Sequence, residues 1–178
     1  TNPSPGLKPL SHPHQQKLLV MNPWIVVHHP PDEAAQRAIY RRTVDFWTKP
    51  GRRLAIYNNP SYVYRQSPEY QYFKALWGLE RPGSFWEWDM IEVNRACQSF
   101  QDFWIYHHDA MLSRFPENYI QLDCPTIQED TRAINGMGYT KDGKRHPTLN
   151  IFETRRMYKR AYALATRRVP NVYYSLHQ

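Results

Sequence analysis

Between Ser84 and Phe115 the chain carries no proline and no glycine, and its apolar residues recur at helical spacing. Met90, Val93, Cys97, Phe100, Trp104, His107 or His108, Met111 and Phe115 follow one another at intervals of three or four. Arg95, Ser99, Asp102, Tyr106, Asp109 and Ser113 fill the opposite side, which completes the stripe of an amphipathic helix. Ser84 with Glu87 supplies a capping-box pattern at the start, and Pro116 supplies a stop. The pattern predicts one long helix over about 84–115, roughly 48 Å at 1.5 Å per residue.

The same signals predict shorter helices elsewhere. One starts near Asp32 and runs to Trp47, where Lys49-Pro50-Gly51 stops it; Ser67 caps another that begins at Pro68 and ends at Gly78. Residues 50–66 read as a loop with short extended pieces. Thr126 with Glu129 caps a short helix closed near Gly136, and residues 136–147 form a loop or small hairpin around Asp142-Gly143. Asn150 with Glu153 opens a last helix through Arg168, ended by Val169 and Pro170. Seven prolines within residues 1–31 mark an extended arm. The expected architecture is therefore mainly α: a small helical domain over 32–168 built around the long helix, with the Pro-rich arm 1–31 and an irregular C-terminal tail 169–178.

Composition adds partners to this picture. The 178 residues suffice for one domain with a real core. Their 13 Tyr and 6 Trp suit half-buried surfaces of the kind found at interfaces, for which Trp24, Tyr158, Tyr162, Tyr173 and Tyr174 are candidates. The net charge of +7 favours an anionic partner. Its focus is the segment 155–168, where Arg155 and Lys159, and Arg156 and Arg160, stand as like-charged i, i+4 pairs ahead of Arg167 and Arg168. Arg41, Arg42, Arg52 and Arg53 form a second basic cluster. Anionic lipid headgroups and rRNA both fit such charge, as does an acidic protein surface.

The candidate chemistry is thin. Two cysteines, Cys97 and Cys124, form no Cys-x-x-Cys pair, and no apolar run approaches the ~18 residues that span a bilayer. Phe103–Met111 places His107, His108 and Asp109 together in sequence, but helical geometry turns Asp109 about 200° from His107 and about 100° from His108. No His, Asp, Glu or Cys stands three or four residues from either histidine, so a metal or catalytic site there requires groups from other helices. The similar trio at His28, His29 and Asp32 is split by two prolines and reads as the entry to a helix. No cofactor motif occurs.

Ile39-Tyr40-Arg41, followed by Phe46, is similar to the Leu-Tyr-Arg motif of a family of small mitochondrial three-helix proteins that serve as respiratory-chain accessory or assembly subunits. The likeness covers about ten residues, with Ile in place of the leading Leu, and carries no site residues across. Thr1, with no initiator Met and no arginine before Arg37, is either the start left by removal of a targeting sequence or an arbitrary boundary of the stretch, and a mature organellar protein is one natural reading.

These features together predict a non-enzymatic structural accessory subunit of a large assembly, a mitochondrial respiratory-chain or ATP-synthase complex, soluble or peripheral to the inner membrane. Its partners would be other subunits of that complex, with no transmembrane segment of its own. The alternative is a mitochondrial ribosomal protein that lays the 155–168 helix on rRNA, and a third reading is a small enzyme using His107 or His108.

Overall fold

The computed structural model describes residues 18–21, 53–79, 84–85, 90–114, 119–123 and 125–177. Its strands are β1 (Leu18–Met21), β2 (Arg53–Asn58), β3 (Tyr62–Tyr64), β4 (Ser84–Phe85), β5 (Met90–Glu92), β6 (Tyr119–Asp123), β7 (Glu129–Asp130), β8 (Tyr139–Lys141), β9 (Lys144–His146), β10 (Thr148–Leu149) and β11 (Tyr173–His177). Its helices are α1 (Pro68–Trp77), α2 (Gln98–Arg114) and α3 (Ile151–Arg168). The mainly helical expectation is thus corrected to a mixed α/β fold.

A four-stranded sheet in the order β1-β2-β6-β11 organises the molecule, and all of its pairings are parallel. Parallel neighbours cannot be joined by a hairpin, so long crossovers are obligatory. The connection from β2 to β6 holds α1, β3 to β5 and α2; the connection from β6 to β11 holds β7 to β10 and α3. Ile56, Ile120 and Tyr174 lie abreast in the register, as do Asn58, Leu122 and Leu176. Strand alternation puts both rows on one face, against α2 and α3, where Ile56, Ile120 and Leu122 join Phe100, Trp104, Met111, Met157 and Ala161 in the core. Tyr57, Gln121, Asp123, Ser175 and His177 belong to the opposite face.

The two long helices are matched in size. α3 buries Thr154, Met157, Ala161 and Ala165, a stripe whose small alanines let α2 approach, and Arg160 and Arg168 close the outside of the pair on Asp102 and Asp109. Around the sheet stand smaller antiparallel pieces: β3-β5-β4, β7 with β10, and the β8–β9 hairpin.

The predicted helix over 84–115 keeps only its second half. Asn94 starts the difference: its side-chain oxygen accepts the Ala96 N–H at 2.8 Å and its carbonyl accepts the Cys97 N–H, so the backbone turns before helix α2 can begin. Upstream, Met90–Glu92 pairs with both β3 and β4. The expected helix after Thr126 is also absent; extended chain, β7 and one turn of 3-10 helix at Ala133–Asn135 replace it. Tyr173–His177, assigned to an irregular tail, is a strand of the main sheet. Within the arm 1–31, Leu18–Met21 is a strand. The Ser67-capped helix, the last helix and the hairpin turn at Asp142-Gly143 form where the sequence puts them. The predicted helix of 32–47, with the Leu-Tyr-Arg-like triplet, lies outside the described residues.

Candidate active site at the carboxyl edge of the sheet

β2, β6 and β11 end side by side in Asn58, Asp123 and His177. In open parallel sheets and parallel barrels alike, ligands bind beyond the carboxyl ends of the strands, where the connections leave and backbone N–H and C=O groups are not committed to the ladder. Both long excursions of this chain leave from that edge.

The edge converges on one carboxylate. Asp123 ends β6, the strand between β2 and β11. From β2 the Tyr57 hydroxyl donates to Asp123 Oδ2 at 2.5 Å; from β11 the His177 Nδ1–H donates to Asp123 Oδ1 at 2.8 Å. The Asn59 amide reaches the Tyr57 oxygen at 3.5 Å, and its own Oδ1 accepts the Ser61 N–H at 2.9 Å, a local turn that holds the first residues after β2. The Asp123 side chain keeps 21% of its surface exposed and His177 keeps 68%, so solvent and small molecules reach both. A carboxylate oriented through both oxygens and still partly exposed is equipped to act as base, nucleophile or anionic stabiliser.

Behind the edge lies a buried polar chain. His108 on α2 is fully enclosed; its Nδ1 accepts from the Asn58 amide at 2.8 Å and its Nε2–H donates to the Tyr174 hydroxyl at 2.7 Å. Tyr174 in turn donates to the Ala161 carbonyl at 3.2 Å. Burial pushes the His108 pKa down to about 3, against a small opposing pull from Asp109, and burial likewise raises that of Tyr174. His108 is therefore neutral and ties two strands to two helices. Its neighbours diverge as helical geometry requires: Asp109 points outward to a two-pronged pair with Arg168 at 2.7 and 2.8 Å, and His107 packs edge-on against Phe103 and Tyr106. Among the described residues no group of three His, Cys, Asp or Glu side chains is placed to hold a metal ion.

The excursions are clamped together by Gln128. Its Oε1 accepts the Arg95 N–H at 3.1 Å and the Asn150 amide at 3.1 Å, while its Nε2 donates to Glu92 at 2.7 Å and to the Val93 carbonyl at 2.9 Å. Asn94 adds a bond to buried Asp130 at 2.7 Å. The guanidinium groups here are engaged: Arg95 on Ser61, Arg132 on Asp130, and Arg145 on the carbonyls of Thr131 and Met137.

The predicted basic residues are not gathered at this site. Arg155, Arg156, Lys159 and Arg167 are exposed on α3, whereas Arg160 and Arg168 are bound to Asp102 and Asp109. Tyr158 and Tyr174 are half-buried, and Tyr162 and Tyr173 exposed. Arg53 is placed only as the first residue of β2; Trp24, Arg41, Arg42 and Arg52 lie outside the described residues. Tyr57, Asp123 and His177 are not among the residues that the sequence patterns nominate. The available signal was Tyr119-Ile-Gln-Leu-Asp123, alternating apolar and polar until an acid meets Cys-Pro, and the similar run Leu54-Ala-Ile-Tyr-Asn-Asn-Pro60.

No protein-family model matches the sequence, and no curated protein matches it. Among solved structures, the chain is similar to an α-galactosidase from Thermus thermophilus in complex with stachyose, with 14% identity and a TM-score of 0.47 over 79% of this chain and 27% of that one. It is also similar to a GH36 α-galactosidase from Geobacillus stearothermophilus, with 15% identity and a TM-score of 0.45 over 76% of this chain and 18% of that one. A third, from Lactobacillus brevis, gives 15% identity and a TM-score of 0.39. The chain spans about a quarter of the Thermus enzyme's length or less of the others. At such scores the α/β description rests on this chain's own strand order and register.

The accessory-subunit expectation is corrected accordingly. The helical body on which it stood is replaced by a mixed fold around a parallel sheet. The respiratory-chain or ATP-synthase accessory-subunit reading, and with it the non-enzyme reading, loses that support.

Proposed function

We propose that Asp123 is the reacting carboxylate of a hydrolytic site for a neutral, polyhydroxylated substrate such as a glycoside. The observation that carries this reading is the convergence of Tyr57 and His177 on one carboxylate at the carboxyl edge of the parallel sheet. Hydrogen bonds from both sides fix the plane of the carboxylate, which lowers the reorganisation needed when positive charge grows at a reacting carbon. Glycoside hydrolysis uses a pair of carboxyl groups around the scissile bond, and Asp123 supplies one of them. The local polar set of carboxylate, phenol, imidazole and amide exchanges hydrogen bonds with hydroxyl groups.

The test is release of nitrophenol from a panel of aryl glycosides by the full chain, alongside calorimetric titration of the free sugars. Asp123→Asn keeps size and shape and removes the charge, so a loss of about 10²-fold or more in turnover is expected, with the thermal midpoint little changed. Absence of saturable sugar binding by the unsubstituted chain, or full turnover by the Asn variant, would refute the proposal. A second reading follows from the exposure of His177: oriented through Nδ1, it would act as general base through Nε2. His177→Gln separates the two, because glutamine can still donate to Asp123; turnover mostly retained supports the carboxylate, and turnover lost as fully as in Asp123→Asn supports the imidazole.

A further inference from the structure

The face of α3 turned away from α2 is not covered by the described residues. A hollow of about 660 Å³ lies along it, floored by Ile127, Ile151, Tyr158 and Tyr162 and edged by Arg155 and Lys159. Through Tyr158 and Tyr162 it continues into a second hollow of about 220 Å³, where Leu122, Ala161, Tyr174 and Leu176 complete the wall. Ile151, Arg155, Tyr158 and Tyr162 follow at intervals of four, three and four, so the groove tracks α3 for three turns, about 16 Å at 1.5 Å per residue. Ile127, Ile151, Tyr162 and Leu176 are exposed here, an apolar strip of the kind that marks a docking surface.

Charge selects the occupant. No carboxylate lines either hollow, and a third depression on the same helix is edged by Arg155, Arg156, Lys159 and Arg160. Arg160 is paired with Asp102, but Arg155, Arg156 and Lys159 have no acidic partner among the described residues. Like charges at i, i+4 oppose helix α3 until an anionic surface meets them. A second copy of this chain, at +7, would bring the wrong sign.

We propose that this groove receives an amphipathic helix of a partner protein, apolar along one stripe and acidic along the edge that faces Arg155 and Lys159. The apolar stripe would fill the floor as helix-in-groove recognition does, and the acidic edge would set its orientation. The groove lies along α3, and Leu122 and Leu176, which line its second hollow, adjoin Asp123 and His177 in their strands but belong to the opposite face of the sheet.

The experiment titrates the full chain, by fluorescence anisotropy, with two labelled synthetic helices of about 15 residues that share one Leu/Ile stripe, one flanked by Glu and the other by Lys. The Glu peptide is expected to saturate at least tenfold more tightly. The Arg155→Glu/Lys159→Glu double variant should invert that preference, and Tyr162→Ser, on the floor, should weaken both peptides without changing their order. Equal affinity for both peptides, or a preference that survives the double charge reversal, would overturn the proposal. So would displacement of the Glu peptide by phosphatidylserine vesicles or single-stranded RNA at lower concentration than by unlabelled peptide, or a concentration-dependent dimer that excludes it.

Discussion

Because His108 is enclosed by Trp104, Asn58 and Tyr174, its neutral form is built into the native hydrogen bonds, and acid acts on it through the unfolded chain. Unfolded histidine titrates near 6.5, whereas folded His108 resists protonation down to about 3. Above pH 6.5 both states are neutral and stability is level on this account. As pH falls from 6.5 towards 3 the unfolded state binds one more proton, so stability drops by about 1.4 kcal/mol per pH unit. Urea melts at pH 7, 6 and 5 should show that slope, and His108→Leu should remove one proton's worth of it. The variant should also lose about 2–4 kcal/mol at pH 7, since the Asn58 amide and the Tyr174 hydroxyl are left buried without their partner. An unchanged acid slope in the variant would mean that His108 is reached by protons in the folded state. The same residue answers why a His-His-Asp run need not be a site: one side chain points in to Asn58, one lies among aromatics, and the third points out to Arg168.

At the scale of elements, glycine tests how firmly the β8–β9 hairpin is fixed. Gly143 and Gly138 share a φ of about +73°, yet a Cβ on Gly143 meets open space, while one on Gly138 would stand 2.6 Å from the Thr131 carbonyl and 2.9 Å from that of His146. Gly143→Ala should therefore cost only the left-handed backbone strain, about 1 kcal/mol, whereas Gly138→Ala should cost that and a backbone displacement, raising the loss to about 2–3 kcal/mol. Amide shifts confined to 139–146 in the first variant and spreading to 129–132 in the second would bear this out; equal melting points for the two would contradict it. This hairpin was legible because Lys-Asp-Gly-Lys states its turn locally, and α1 because Ser67, Pro68 and Gly78 state its ends. The strands of the sheet were not legible. β2, β6 and β11 are five or six residues of sequence whose partners are more than fifty residues away, and parallel strands flanked by helices lack the clean alternation of a surface strand. Met90, Val93 and Cys97 also fit a helical period by accident of short length, so Asn94's turn decided what periodicity could not. The site was hidden for the same reason: Tyr57, Asp123 and His177 become neighbours only when the register is known.

On the scale of the whole molecule, two excursions from different strands are held over one sheet, and Gln128 is the joint between them. It uses both lone-pair directions of its oxygen and both protons of its nitrogen on groups from the first excursion and from Asn150, and it follows Asp123 by only five residues. Removing the amide leaves several buried polar groups unpaired at once, for which Gln128→Leu should cost about 3 kcal/mol or more. Gln128→Glu is the sharper variant. It keeps the shape, but replaces the Nε2 donor with an acceptor facing the Glu92 carboxylate and the Val93 carbonyl, so repulsion is added to the lost bonds. Its destabilisation should therefore shrink as pH falls and either carboxyl is protonated, while that of Gln128→Leu should show no such relief. Hydrogen exchange locates the effect: amides of 92–95 and 125–130 should open in both variants, whereas the α2–α3 core, anchored by Trp104, Met157 and Ala161, should keep its protection. Uniform loss of protection would show that the excursions and the sheet unfold as one unit, and that Gln128 supports the whole core.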